Sequence, residues 1–92
     1  MIIHIDNFGV AKIYKEDLLL NEGTDVLIKI NSEIKTRAVY THSMKNLPDN
    51  TWALYPGSSL SHLLELGLVR GDGAKILKLC VGMQLEISEV LN

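Results

Sequence analysis

The sequence predicts an all-β fold: about six to seven short strands forming a small barrel or sandwich, with one short helical turn admitted. Three observations carry this. Apolar, β-branched runs recur along the chain, several with the two-residue period of a half-buried strand. Turn-forming clusters separate them at short intervals. The 92 residues make a single domain, residues 1–92, that can bury one modest core.

The elements follow in order. Residues 1–5 and 8–13 read as two strands interrupted by "DNFG". Residues 14–20, "YKEDLLL", are ambiguous and admit a helical turn. "NEG" at 21–23 marks a turn. In "TDVLIKIN", Val26, Ile28 and Ile30 alternate with Leu27 and Lys29. "NSE" at 31–33 closes a hairpin onto "EIKTRAVYT", which places Ile34, Thr36, Ala38 and Tyr40 on one face. Residues 42–51 form a polar loop with turn chemistry at Pro48, Asp49 and Asn50. "TWALY" is strand-like. "GSSLSHLLELGLV" fits two templates: Leu60, Leu63, Leu64 and Leu68 a helix capped by Ser58 or Ser59, or Leu64, Leu66 and Leu68 a strand. "RGDG" at 70–73 is a turn. "AKILKLCV" reads as helix by the spacing of Ala74, Leu77 and Val81. "GMQLEISEV" ends the chain as a strand.

Composition excludes several function classes. A net charge of −2 and a pI near 5.8 argue against a nucleic-acid module. No run approaches the roughly 18 consecutive apolar residues of a membrane span, and "MIIHIDN" lacks the pattern of a secretory leader. The one cysteine, Cys80, has no internal partner, which fits a reducing, cytoplasmic setting. It lies in an apolar run and reads as a small core residue. His4, His42 and His62 are scattered without zinc spacing, so no metal site is expected. "GDGAKI" lacks the first glycine of a phosphate loop. The tripeptide "RGD" reads as a turn. No paired carboxylates mark an acid–base site. On residue chemistry alone the chain is a binding or association module, with no catalytic residue assigned.

The opening "IIHIDNFGVAKI" resembles the start of the C-terminal domain of the S-adenosylmethionine hydroxide adenosyltransferase and fluorinase family, which opens on strand, I-D-x-F-G-N, strand. "TRAVYTHSM" is similar to the family's R-T-Y/F segment, "TWALY" to the strand leading into its N-S-x-G turn. "LLELGLVRGDGAKILKLCVGMQLEI" follows the register Y-L-E-I-A-V-N-x-G-S-A-A-x-x-L-G-L-x-x-G-D-x-V. The resemblance spans nearly the whole chain. It implies a partly open Greek-key barrel and favours the strand reading of 63–69. It also implies S-adenosylmethionine or adenosine as ligand, with no other cofactor. A catalytic N-terminal domain, absent from this sequence, would be supplied in cis or trans. The assembly implied is a homo-oligomer, a trimer, with no nucleic acid or membrane partner.

Residue by residue, the resemblance implies that Asp6 sits at the ligand, Phe8 lines the adenosine pocket, and Gly9 lets the backbone approach. Tyr40 would stack on adenine. Ser58, Ser59 and Ser61 are candidates for contact with the methionine end. Leu68 and Arg70 would pass the adenine edge. Val10 stands where the family has asparagine, so the amide that would both donate to and accept from adenine is replaced by an isopropyl group. Each has a plainer reading: a turn-forming aspartate, a core phenylalanine, a barrel tyrosine with its hydroxyl at the rim. The alternative function is a stand-alone barrel for protein association or for another small ligand, its pocket made more apolar by Val10.

Overall fold

A computed structural model describes residues 1–15, 20–43, 45, 47–56 and 63–90. Seven strands form one curled sheet: β1 (Ile2–Ile5), β2 (Ala11–Tyr14), β3 (Asp25–Ile30), β4 (Glu33–Tyr40), β5 (Trp52–Pro56), β6 (Leu63–Leu68) and β7 (Glu86–Glu89). One short helix, α1 (Gly73–Leu77), follows β6. The order across the sheet is β1-β2-β6-β5-β4-β3-β7. All neighbours are antiparallel except β4 and β5, which run parallel over the short register Val39↔Ala53 and Tyr40↔Leu54. This is the small, partly open all-β barrel expected from the sequence. On the outer side of β1, the Ile2 N–H donates to the Met83 carbonyl and Gly82 N–H donates to the Ile2 carbonyl, both at 2.8 Å. Those bonds occupy an edge that would otherwise be an open template.

The two-residue period does most of the work. Val26 and Ile28 are fully buried and Ile30 nearly so, as their alternation in "DVLIKI" requires. They meet Ile2, Ala11, Ile13, Leu54, Leu64 and Leu66 in one core. The β3–β4 hairpin closes through Asn31 and Ser32, both at positive φ (53° and 65°). Two consecutive residues there make the turn whose twist matches a hairpin. Asparagine tolerates the left-handed region better than most residues.

Several expectations change. Ile34 does not join the face of Thr36, Ala38 and Tyr40. The register passes from Ile28↔Thr36 to Lys29↔Ile34, so Lys35 is an extra residue in β4. Such a bulge reverses the facing of every residue beyond it, and Ile34 is 57% exposed. Residues 63–68 are strand, as the family resemblance implies, and the helical alternative fails there. The helix read over "AKILKLCV" is real but stops at Lys78, whose backbone is left-handed (φ 56°). Val81 therefore lies beyond the helix and is 62% exposed, and Cys80 is an exposed free thiol rather than a core residue. The final strand is shorter than "GMQLEISEV" suggests, because Met83 pairs with Ile2 instead of extending β7. Of the ambiguous segment 14–20, Tyr14 ends β2 and residues 16–19 lie outside the described residues.

Candidate ligand cleft

The β1–β2 connection is built by Asp6. Its Oδ1 accepts from the backbone N–H of Phe8 (2.8 Å) and of Val10 (3.0 Å). Its own N–H donates to the Val10 carbonyl at 3.0 Å, and the Gly9 N–H donates to the Asp6 carbonyl at 3.1 Å. Asp6 is thus the turn-former that its residue type suggests. The bend projects Phe8 outward, where 80% of it is exposed. A phenylalanine that could pack inward is instead held at the surface by the hydrogen bonds of the loop beneath it.

Gly9 makes the close approach. Its φ is +81°, and a Cβ built there would lie 2.0 Å from Asp72 Oδ1. The Gly9 carbonyl accepts from the Ala74 N–H at 2.9 Å, so the "DNFG" bend is hydrogen-bonded to the first turn of α1. Asp72 is the N-cap of that helix, its Oδ1 accepting from Lys75 N–H at 3.0 Å. "DNFG" at 6–9 and "RGDG" at 70–73, far apart in the sequence, are therefore one structural unit.

Two clefts flank this contact. The first, ≈ 500 Å³, is lined by Phe8, Val10, Leu68, Arg70, Gly71 and Asp72. The second, ≈ 450 Å³, also has Asp72 as a wall, with Asp6, Gly9, Lys75 and Cys80 among the others. Of the residues assigned from the family resemblance, Phe8, Val10, Leu68 and Arg70 share the first cleft, while Asp6 and Gly9 line the second. Tyr40 lines neither. It is a core residue, 9% exposed, with its ring edge-on to His42 at 5.6 Å. Ser58, Ser59 and Ser61 lie outside the described residues. Sequence reading missed Gly71, Asp72 and Asp49. Asp72 was legible as an aspartate directly ahead of a short helical pattern.

The cleft's chemistry is mostly apolar with one cation. Val10 has no free backbone group facing it: its N–H is bound by Asp6 Oδ1 and its carbonyl by Asp6 N–H. Arg70 holds a left-handed backbone (φ 57°), and its Nε lies 3.3 Å from Asp49 Oδ1. Both partners are exposed, so this ion pair is weak and can exchange for a ligand's charge. No group of three or more candidate metal ligands occurs among the described residues. No helix among them is long and apolar enough to cross a membrane.

A second polar cluster ties the start of β3 to the end of β4. Glu22 accepts from the Thr41 hydroxyl (2.6 Å), the His42 ring Nδ1 (2.5 Å) and the His42 backbone N–H (2.8 Å). The Thr41 hydroxyl first, then the His42 ring and N–H, hold the Glu22 carboxyl down at about 2 from an ordinary 4.5. A carboxylate with a depressed folded-state value adds stability above its unfolded value and loses it as pH falls towards the folded one. Glu22→Gln should accordingly flatten the acid limb: its melting temperature should decline less than the parent's between about pH 5 and pH 2. Thermal melts across that window check this. Elsewhere, burial, then the charges of Glu65 and Asp6, push the Tyr55 phenol up to about 12, so it stays protonated at neutral pH.

No protein-family model and no curated protein matches the chain. Solved structures do. An uncharacterized conserved protein from Thermotoga maritima matches with a TM-score of 0.81 and 17% identity, over 95% of this chain and 34% of that one. A conserved hypothetical protein from Thermus thermophilus matches with a TM-score of 0.65 and 23% identity, over 95% of this chain and 33% of that one. The chain thus spans about a third of the length of these neighbours. At such identities the likeness is one of fold: this barrel is similar to one portion of larger bacterial proteins.

Proposed function

We propose that this protein is an adenosine- or S-adenosylmethionine-binding barrel domain, not catalytic alone, that works with a catalytic domain supplied in cis or trans. The observation that carries the reading is convergence. Phe8, Val10, Leu68 and Arg70, two pairs far apart in sequence and each assigned by resemblance to the nucleoside site, line one cleft of ≈ 500 Å³. That volume lies within the range of small-molecule sites. The exposed Phe8 ring offers a flat apolar surface for a base, an interaction typically worth about 1–3 kcal/mol. Val10 brings neither an amide nor a free backbone group, and the Leu68 carbonyl, both Val69 groups and the Gly71 N–H are bonded within the fold, so reading of the base edge falls to Arg70. Tyr40 is not part of this site in the proposal; its role is in the core.

Calorimetric titration of adenosine and S-adenosylmethionine tests the reading. Phe8→Ala should weaken binding by about 5- to 150-fold, the equivalent of one lost stacking contact. It should change folding stability by no more than about 0.5 kcal/mol, as an exposed substitution does. Unchanged affinity in Phe8→Ala would remove Phe8 from the site.

A further inference from the structure

Resting on the reading that a nucleoside enters the cleft of Phe8, Val10, Leu68 and Arg70, we infer that this cleft selects a 6-oxopurine nucleoside, guanosine above all, over adenosine. Stacking does not make that choice. Every base has a π-face, so the exposed Phe8 ring accepts any of them. Val10, Leu68 and Gly71 bring no polar side chain to the walls. The side chains left to tell one base from another are Arg70 and Asp72. A guanidinium only donates hydrogen bonds, and an ionised carboxylate only accepts them.

Those two chemistries match guanine and not adenine. Adenine sets an acceptor, N7, beside a donor, its 6-amino group, and the side chain that meets both at once is an asparagine or glutamine amide. No such amide lines the cleft. Guanine has unmixed edges. Its N7 and O6 are adjacent acceptors, which a guanidinium meets with two parallel N–H groups. Its N1–H and 2-amino group are adjacent donors, which one carboxylate accepts together. Adenine satisfies each reader only in part, Arg70 through a ring nitrogen or Asp72 through the 6-amino group.

Both side chains are held for this role. The turn that carries them closes with the Gly71 N–H donating to the Leu68 carbonyl at 3.0 Å. It is tied to the segment before β5 by the Asn50 N–H on the Val69 carbonyl and the Val69 N–H on the Thr51 carbonyl, both at 2.9 Å. Asp49 Oδ1 engages Arg70 at Nε, 3.3 Å away, which leaves the terminal nitrogens for a bidentate contact. Asp72 is anchored by its cap: Oδ1 accepts from the Lys75 N–H, and Oδ2 has no hydrogen bond among the described residues. A carboxylate that accepts one N–H keeps lone pairs on both oxygens. Two carboxylates, Asp49 and Asp72, stand against the one guanidinium. No surplus cation is left for a phosphate, which points to the nucleoside and not the nucleotide.

Calorimetric titration of guanosine, inosine and adenosine into the chain tests the inference. Guanosine should bind at least about fivefold more tightly than adenosine, the lower end of what one bidentate contact discriminates. Inosine keeps N7, O6 and N1–H but lacks the 2-amino group, and should fall between them. Arg70→Gln replaces the guanidinium by the amide that suits adenine, and should shift the preference towards adenosine. Asp72→Asn keeps a residue that caps α1, and should bring guanosine and inosine closer together. Adenosine binding as tightly as guanosine, or more so, overturns the inference and leaves the nucleoside reading standing. Binding of none of the three at millimolar concentration overturns both. A guanosine preference unchanged in both folded variants also overturns the inference, because the selection would then lie elsewhere.

Discussion

Gly9→Ala should lower the melting temperature by on the order of 10–20 °C. Two costs add. Alanine at φ +81° bears the penalty of the left-handed region, about 1–2 kcal/mol. Its Cβ would also fall 2.0 Å from Asp72 Oδ1 and 2.9 Å from Asp72 Cα, so the backbone itself must retreat and not merely a side-chain tip. That movement breaks the cap on α1, worth about 0.5–2 kcal/mol. Gly23→Ala is the control. Gly23 has a similar φ of +85° with nothing within 4 Å, so it should show the backbone penalty alone. Thermal melts of both separate conformational strain from the contact. Equal losses would mean that the "DNFG"–"RGDG" contact contributes little.

Leu54→Ala should destabilise the fold by about 2–5 kcal/mol, the usual cost of truncating a fully buried leucine. Leu54 is 0% exposed and sits on β5 between the antiparallel β6 and the short parallel ladder to β4. It packs in the same core as Ile28 and Leu66. Against a total stability of about 5–15 kcal/mol for a domain, that is a large fraction. Ile34→Ala is the informative partner. Simple alternation along β4 puts Ile34 beside Thr36 and Ala38 and predicts a core-sized loss. The bulge at Lys35 puts it outside, and the expected change is within about 0.5 kcal/mol. Denaturant unfolding of the two variants therefore checks the register of β4 as well as the core.

Why some features were legible in the sequence and others not has physical causes. "DVLIKI" is half-buried on one face, so its period is written in its residues and its buried set could be read directly. β6 is different. Leu64, Leu66 and Leu68 are buried there, and the opposite face holds Leu63, the single polar Glu65 and the buried Gly67, so "LLELGL" has too little polar patterning to separate strand from helix. Only the order of motifs along the chain favoured the strand. The bulge at Lys35 was illegible, because one extra residue in a ladder leaves no trace in local composition. Cys80 and Val81 were misplaced because the helix ends at a lysine in the left-handed region and not at a glycine, the usual stop signal. In the candidate site, Asp6 and Gly9 follow from turn chemistry. The meeting of "DNFG" with Asp72 is a tertiary event that neither segment announces. Tyr40 shows the converse: position in a motif suggested a ligand, while its place on the inner face of β4 puts it in the core.

Chemical-shift mapping decides the proposal that the cleft of Phe8, Val10, Leu68 and Arg70 receives a nucleoside. Adenosine and S-adenosylmethionine would be titrated separately into the ¹⁵N-labelled chain and the backbone amides followed. Saturable shifts centred on Phe8, Val10 and residues 68–72 are expected, with Tyr40 unmoved or nearly so. No shifts at millimolar ligand, or shifts centred away from these residues, would contradict it.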